Sequence, residues 1–289
     1  MSTANQERRV VPDKHPAVPT VEPLRGNQPK KESLPVTINN KDLIRALLKS
    51  IETGEVGAVA VVNEAKYVQH NPHTDEGSEG LADLFLRLSK TNPRVEIVRA
   101  FEDGDFVFAH TEYDFADENV GFEVFRFENG QAVEHWDNIQ PRRGPNQSGN
   151  SMTDGPTDAT DLDRTESNRQ TVRAFVDDIL IDRQLTKLGS YVDPHSYTEH
   201  NPEMEDGFEH LLAALTRLGV EASAQSYKTI HRVLAEGNFA LSMCEGTLGG
   251  VHSSFYDLYR LDNGKIVEHW NTVDAIPPRN EWNNNNGKF

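Results

Sequence analysis

The sequence predicts an α+β protein in which one helices-then-sheet unit occurs twice. Three observations carry this. The stretch "YVQHNP" at residues 67–72 returns as "YTEHNP" at 197–202. Around it, "KYVQHNPHTDEGSEGLADLFLRL" (66–88) aligns without a gap on "SYTEHNPEMEDGFEHLLAALTRL" (196–218), with nine identities in 23. Further on, "RFENGQAVEHW" (126–136) aligns on "RLDNGKIVEHW" (260–270), with seven identities in 11. Units of about 110 to 120 residues are too long for solenoid repeats. They point to tandem duplication of a whole domain.

Each unit opens on a helix. "NNKDLIRALLKSIETGE" places Leu43, Ala46, Leu47 and Ile51 at helical spacing, with Asn40 as N-cap. Its counterpart, "TESNRQTVRAFVDDILI", places Val172, Phe175, Val176 and Ile179 likewise. The HNP stretch follows, then a short helix, "GLADLFLRLSK" or "HLLAALTRLG". Long alternating strands close the unit: "RVEIVRAFEDGDFVFAHTEYDF" and "GFEVFRFENGQAVEHWDNIQ", each with a glycine turn suited to a hairpin. Residues 1–38 hold six of the 15 prolines and no periodicity, and read as a disordered arm. The first domain is expected over 39–142 and the second over 163–280. Residues 143–162, rich in Gly, Pro, Ser, Asp and Thr, read as a linker, and 281–289 as a frayed polar tail.

Composition narrows the function. The 289 residues carry 29 basic and 46 acidic side chains, a net charge of −17. No basic footprint suits nucleic acid or an anionic membrane. No apolar run approaches a membrane span and no secretory signal is visible, so a cytoplasmic protein is expected. The single cysteine, Cys244, leaves no internal disulfide framework and no Cys-rich zinc site. No close His/Glu spacing supports a metal, and no cofactor is expected.

The hairpin at Asn129-Gly130 can be read two ways. A three-residue loop pairs Phe127 with Gln131, Phe125 with Val133, and Glu123 with His135. Glu123, Phe125, Val133, His135 and Asp137 then share one face. A two-residue loop sets Glu123 opposite Trp136 instead, and one residue of register flips every side chain. The first register is preferred because it gathers three ionisable groups. Phe106, Phe108, His110 and Glu112 alternate onto one side of the preceding strand. His70 sits just before the capping helix. His70, His110, Glu123, His135 and Asp137 are therefore expected to converge on an aromatic-walled cleft, with Tyr67, Phe108, Glu112 and Phe125 lining it. Such a set suits proton transfer: a base for a carbon acid and a donor for the oxyanion. Structural readings stand beside the chemical one. His70 can cap the helix, Glu123 and His135 can be a structural pair, Arg126 with Glu134 reads as a solvated or interface pair, and Trp136 as packing.

"HNP", "GDFVFAH" and "FEVFRFENGQAVEHWDNIQP", in that order after helices, resemble the SnoaL-like polyketide cyclase family of the nuclear transport factor 2-like superfamily. The resemblance covers roughly 40–142, and 163–279 more weakly. It implies two tandem cone-shaped α+β barrels, each with a deep pocket between helices and curved sheet. It also implies cofactor-free acid/base chemistry of the aldol, isomerase or dehydratase kind on a small hydrophobic carbonyl compound. Asp137 matches the family's acid/base in "HWD". His110 or His70 would then be the donor and His135 the orienter, while Glu123 stands where the family leads one to expect an aspartate.

In the second unit the same register pairs Asp257 with His269 and Tyr259 with Val267. His200 matches His70 and Glu245 matches Glu112. Met243 replaces His110, and Asn271 replaces Asp137. Neither replacement can do the acid/base work. The second pocket, with Tyr197, His200, Glu245, Asp257, His269 and Asn271, is expected to be degenerate and to bind rather than react. Its domain can take the place of a dimer partner, since superfamily members pair through their sheets and a tether raises the local concentration. A homodimer stays possible. A non-catalytic binder and an interaction module with vestigial pockets are the competing functions.

Overall fold

The computed structural model describes residues 39–218 and 225–289. The arm expected at 1–38 lies outside the described residues. Helix α1 (Asn40–Lys49) is capped by Asn39, whose side chain accepts from Asp42 N at 2.8 Å. The expected cap, Asn40, is already in the helix and donates to Glu102. The buried stripe is Ile44, Leu47, Leu48 and Ile51, while Ala46 is exposed and Leu43 half-buried. The two-residue strand β1 (Val68–Gln69) and helix α2 (Gly77–Ser89) come next. Then come β2 (Arg94–Asp103), β3 (Phe106–Asp114), β4 (Glu118–Glu128) and β5 (Gln131–Pro141). The second unit repeats the order. It has α3 (Thr165–Phe175) prolonged by a π-helical turn (Val176–Ile181), α4 (Leu188–Tyr191), β6 (Thr198–Glu199), α5 (Phe208–Leu218), β7 (Ser226–Glu236), β8 (Phe239–Leu248), β9 (Val251–Asp262) and β10 (Lys265–Ala275). Val172, Phe175, Val176 and Ile179 are all buried, as the periodicity predicts.

The two sheets have the same strand order, β1-β5-β4-β3-β2 and β6-β10-β9-β8-β7. The fold is α+β, with two tandem units of the same topology. In each, helices and the concave sheet face enclose one apolar core, with Ile44, Phe85, Val107 and Phe125 in the first and Val172, Leu211, Cys244 and Tyr259 in the second.

Neither hairpin register read from the sequence is the observed one. Asn129 and Gly130 both have positive φ (51° and 78°) and form a two-residue turn, with Glu128 opposite Gln131. A bulge between Arg126 and Phe127 then shifts the pairing, so Phe125 faces His135 and Glu123 faces Asp137. The turn alone would have flipped the strand, and the bulge flips it back. The predicted face therefore survives on a different register. The second hairpin repeats this, with Asp257 opposite Asn271 and Tyr259 opposite His269.

The convex faces of the two sheets pack on each other. Phe101, Phe108, Phe122, Val124 and Trp136 meet Leu234, Phe239, Leu241, Met243, Tyr256 and Trp270 in one buried cluster. The guanidinium of Arg99 lies 4.4 Å from the Trp270 ring centroid, and that of Arg232 lies 4.4 Å from that of Trp136. Asn138 bonds Ser254 and Thr272 across the seam.

The segments after each sheet cross over. After β5, the stretch expected as a linker runs along the second unit: Asn146 donates to Glu199 O at 2.7 Å, and Ser151 O meets His200 Nδ1 at 2.7 Å. After β10, the tail expected to fray runs along the first: Asn286 donates to Gln69 O at 2.9 Å, and Gly287 O meets His70 Nδ1 at 2.8 Å. Asn284 and Lys288 are each only 4 % exposed. Buried hydrogen bonds hold this tail, which its polar composition did not announce.

Candidate functional site

The first unit encloses a cavity of about 260 Å³ between α1, α2 and the concave sheet face. Leu48, Ile51, Leu81, Phe85, Phe125 and Ile139 supply apolar wall. The polar floor is Gln69, Glu123, His135 and Asp137, with Asn71 and Tyr113 beside them. β4 and β5 set the pair Glu123–Asp137 and the neighbouring pair Phe125–His135 side by side, and parallel pairing of Gln69 with His135 adds the fourth group.

The hydrogen bonds give each group a role. His135 Nε2 lies 2.7 Å from Glu123 Oε2, and His135 Nδ1 lies 3.0 Å from Gln69 Oε1. Asn71 N–H also donates to Gln69 Oε1, which orients that amide with its oxygen toward the ring. His135 Nδ1 therefore donates to Gln69, and its Nε2 makes the hydrogen bond to Glu123. Tyr113 donates to Glu123 Oε1 at 2.7 Å. Burial, then the Glu123 carboxylate, pushes the Tyr113 hydroxyl well above its usual range, so it stays a donor. Gly121 makes room for it: a Cβ there would sit 2.7 Å from both Tyr113 Cε2 and Thr111 Oγ1. Asp137 Oδ2 accepts from Asn71 at 2.7 Å, while its Oδ1, buried in a residue 4 % exposed, has no hydrogen-bond partner among the described residues. Lys288 from the tail donates to Asp137 O at 2.6 Å, and its ammonium lies 3.7 Å from Oδ1.

Of the five residues expected to converge, Glu123, His135 and Asp137 do. His70 and His110 do not. His70 follows Gln69 in β1 and so points to the opposite face, where it stacks on Trp136 (4.8 Å) and lies 3.0 Å from Glu134. His110 pairs with Phe122 while Ala109 pairs with Glu123, so His110 belongs to the convex face. There its Nδ1 meets Arg99 at 2.6 Å, and burial, then Arg99, holds the imidazole well below its usual range. It is neutral and cannot serve as donor to the pocket. Phe108 and Glu112 share that face: Phe108 packs between the sheets, and Glu112 pairs with Arg142. Phe125 lines the cavity and stacks on His135 at 4.3 Å, whereas Tyr67 lies behind Gln69 in the core. Gln69, Asn71, Tyr113 and Lys288 were missed. Alternation along "YVQHNP" could have found Gln69 and Asn71, because they flank the histidine on the other face.

Glu123, His135 and Asp137 each offer a ligand atom, all within 4.8 Å of one another. Such a set can bind a divalent cation. An ion bound there would replace the Glu123–His135 hydrogen bond.

The second unit's cavity is about 60 Å³. Tyr197, Asp257, His269 and Asn271 line it with Glu199. His200 and Glu245 do not: His200 stacks on Trp270 and bonds Glu268, and Glu245 pairs with His231 and His252. His269 sits between two carboxylates, 2.9 Å from Glu199 and 3.2 Å from Asp257. Burial would lower its pKa, but Glu199 and Asp257 outweigh that and push it up to about 10, so it is an imidazolium. Tyr227 takes the part of Tyr113, bonding Asp257 at 3.0 Å, but from the next strand over. Val95 faces Tyr113 in the first sheet, and Tyr227 faces Gly246 in the second. The tyrosine has crossed the ladder.

Residues 44–135 match the model of the SnoaL-like domain. No curated protein matches the chain. Among solved structures, the chain is similar to a nuclear transport factor 2-like protein of unknown function from Cytophaga hutchinsonii (18 % identity, covering 37 % of this chain and 96 % of that one, TM-score 0.33). It is also similar to an LEH-like epoxide hydrolase from M. tuberculosis (18 %, 38 % and 85 %, TM-score 0.32). A third is IdmH, a candidate polyketide cyclase from Streptomyces antibioticus (17 %, 34 % and 90 %, TM-score 0.31). The first unit therefore carries a SnoaL-like domain over residues 44–135, and the second unit repeats its strand order.

Proposed function

We propose that the first unit is a cofactor-independent acid/base enzyme acting on a small hydrophobic carbonyl compound. The observation that carries this is Asp137 Oδ1, a carboxylate oxygen that accepts no hydrogen bond among the described residues, at the floor of an apolar cavity, with the Lys288 ammonium 3.7 Å away and the hydrogen-bonded Glu123–His135 pair beside it. Asp137 removes a proton from the carbon next to the carbonyl. The Glu123–His135 pair, braced by Tyr113 and Gln69, supplies the proton or hydrogen bond that the forming enolate oxygen needs. Aldol closure, isomerisation and dehydration all pass through that enolate. The test is deuterium exchange at the α-carbon of a panel of aryl and cyclic ketones in heavy water, followed by proton NMR. Wild-type protein should speed exchange and Asp137→Asn should abolish the gain. Equal rates in the two would sink the assignment.

A second reading, a non-catalytic binder, is favoured by the engagement of both His135 ring nitrogens. It predicts saturable uptake and a ligand recovered with unchanged mass. We also propose that the second unit stands in for a dimer partner, so the solution mass should be that of one 32.4 kDa chain. A mass of twice that would overturn it.

A further inference from the structure

We propose that the substrate of the first cavity carries an anionic end, a carboxylate or equivalent, that rests at the cavity mouth on Arg87 and His73. This rests on the first unit's pocket being a substrate site, and it names the class of molecule that site takes. Glu123 and Asp137 bring two carboxylates to the floor, with His135 and Tyr113 on Glu123 and the Lys288 ammonium 3.7 Å from Asp137, and the remaining ionisable residues lining the cavity, His73 and Arg87, are both basic or neutral. Both are exposed, which places them at the opening. Arg87 follows Leu84 by three residues and precedes Leu88 by one on α2, and all three line the cavity. Its stem thus belongs to the cavity side of the helix. Neither side chain makes a hydrogen bond or an ion pair among the described residues, in a chain of net charge −17.

The mouth is also held in place. Asn71 Oδ1 accepts from His73 N at 2.8 Å. The tail clamps the same loop: Asn283 donates to Pro72 O and His73 O, and Asn284 to Asn71 O and Thr74 O. An unpaired cation over an acidic floor gives the cavity a polar axis. A carboxylate is repelled by Glu123 and Asp137 and attracted at the rim, so the carbonyl part of the same molecule enters first. The second unit lacks the axis. Its residue matching His73 is Glu203, and Arg217, matching Arg87, lines a separate surface hollow with Glu203 and Glu205.

The test compares a para-fluorinated phenylpropanoate with its primary amide by fluorine NMR titration of the full chain. The acid should bind about twofold to fivefold tighter than the amide, the range for a partly exposed charge pair. Arg87→Gln should remove that preference by weakening the acid more than the amide, and Leu84→Trp, which fills the cavity, should abolish binding of both. Equal binding of acid and amide, or a preference that persists in Arg87→Gln, would overturn the anionic end while leaving the cavity reading intact. Binding that Leu84→Trp does not disturb would place the probe elsewhere and overturn both. Failure of either probe to bind would count against the pocket as a substrate site, and so against the reading beneath this one.

Discussion

The two cavities are built on one topology, and each has one histidine and two carboxylates on its sheet floor. They differ in where the second carboxylate stands. In the second unit it is Glu199, at the far nitrogen of His269, and Asn271 faces the cavity. In the first it is Asp137, in the cavity, and the neutral Gln69 meets His135. Exchanging amide and carboxylate at two positions turns a closed ion triad into a site where Asp137 Oδ1 accepts no hydrogen bond among the described residues. A charge neutralised by its neighbours has nothing left for a ligand.

The largest effect expected from perturbing this comparison lies at the seam. Trp270→Ala and Trp136→Ala should each cost about 3 to 5 kcal/mol in urea denaturation. Trp270→Ala should be worse by about 1 kcal/mol, because Trp270 also donates to Asp154 O at 2.9 Å while Trp136 Nε1 is unpartnered. Next comes the exchanged pair. Asn271→Asp adds a third carboxylate around one imidazolium and should cost about 1 to 3 kcal/mol without creating α-proton exchange. Asp137→Asn should lower stability by about 1 kcal/mol or less, since it removes a partner 3.7 Å from the buried Lys288 ammonium, which keeps Asp274 at 3.2 Å. Glu199→Gln should lower the His269 pKa from about 10 by about one to two units, read from the ring resonances.

The smallest effects are in pH dependence, and they have opposite signs. His269 has a raised pKa, so its stabilisation is complete below 6.5 and fades as pH rises from there to about 10. His110 has a lowered pKa, so it stabilises above 6.5, and stability falls as acidification forces a proton on beside Arg99. His110→Met, which copies Met243, should remove the acid-side loss of urea midpoint and leave the alkaline side as it was.

The fold was legible in the sequence because the repeat and the hairpin turns are local signals. The site was legible only in part, and β3 explains why. Val107, Ala109 and Phe108 are all fully buried, because helices cover one side of the strand and the other sheet covers the opposite side. Alternation gives the period of such a strand but not its orientation. The set Phe106, Phe108, His110 and Glu112 is a true face, and it was assigned to the wrong layer. Glu123, His135 and Asp137 were placed correctly because a bulge cancelled the error in the turn. Lys288 could not have been found at all, since it depends on the tail crossing from one unit to the other.

That crossing has a consequence for how the chain can be divided. A cut near residue 160 would yield two pieces, each lacking the strap over its own HNP loop and each carrying the strap for the other. The pieces would be mutual complements, as in a swapped dimer. Mixed together they should restore one molecule, whereas either alone would present an uncapped loop and a bare convex sheet.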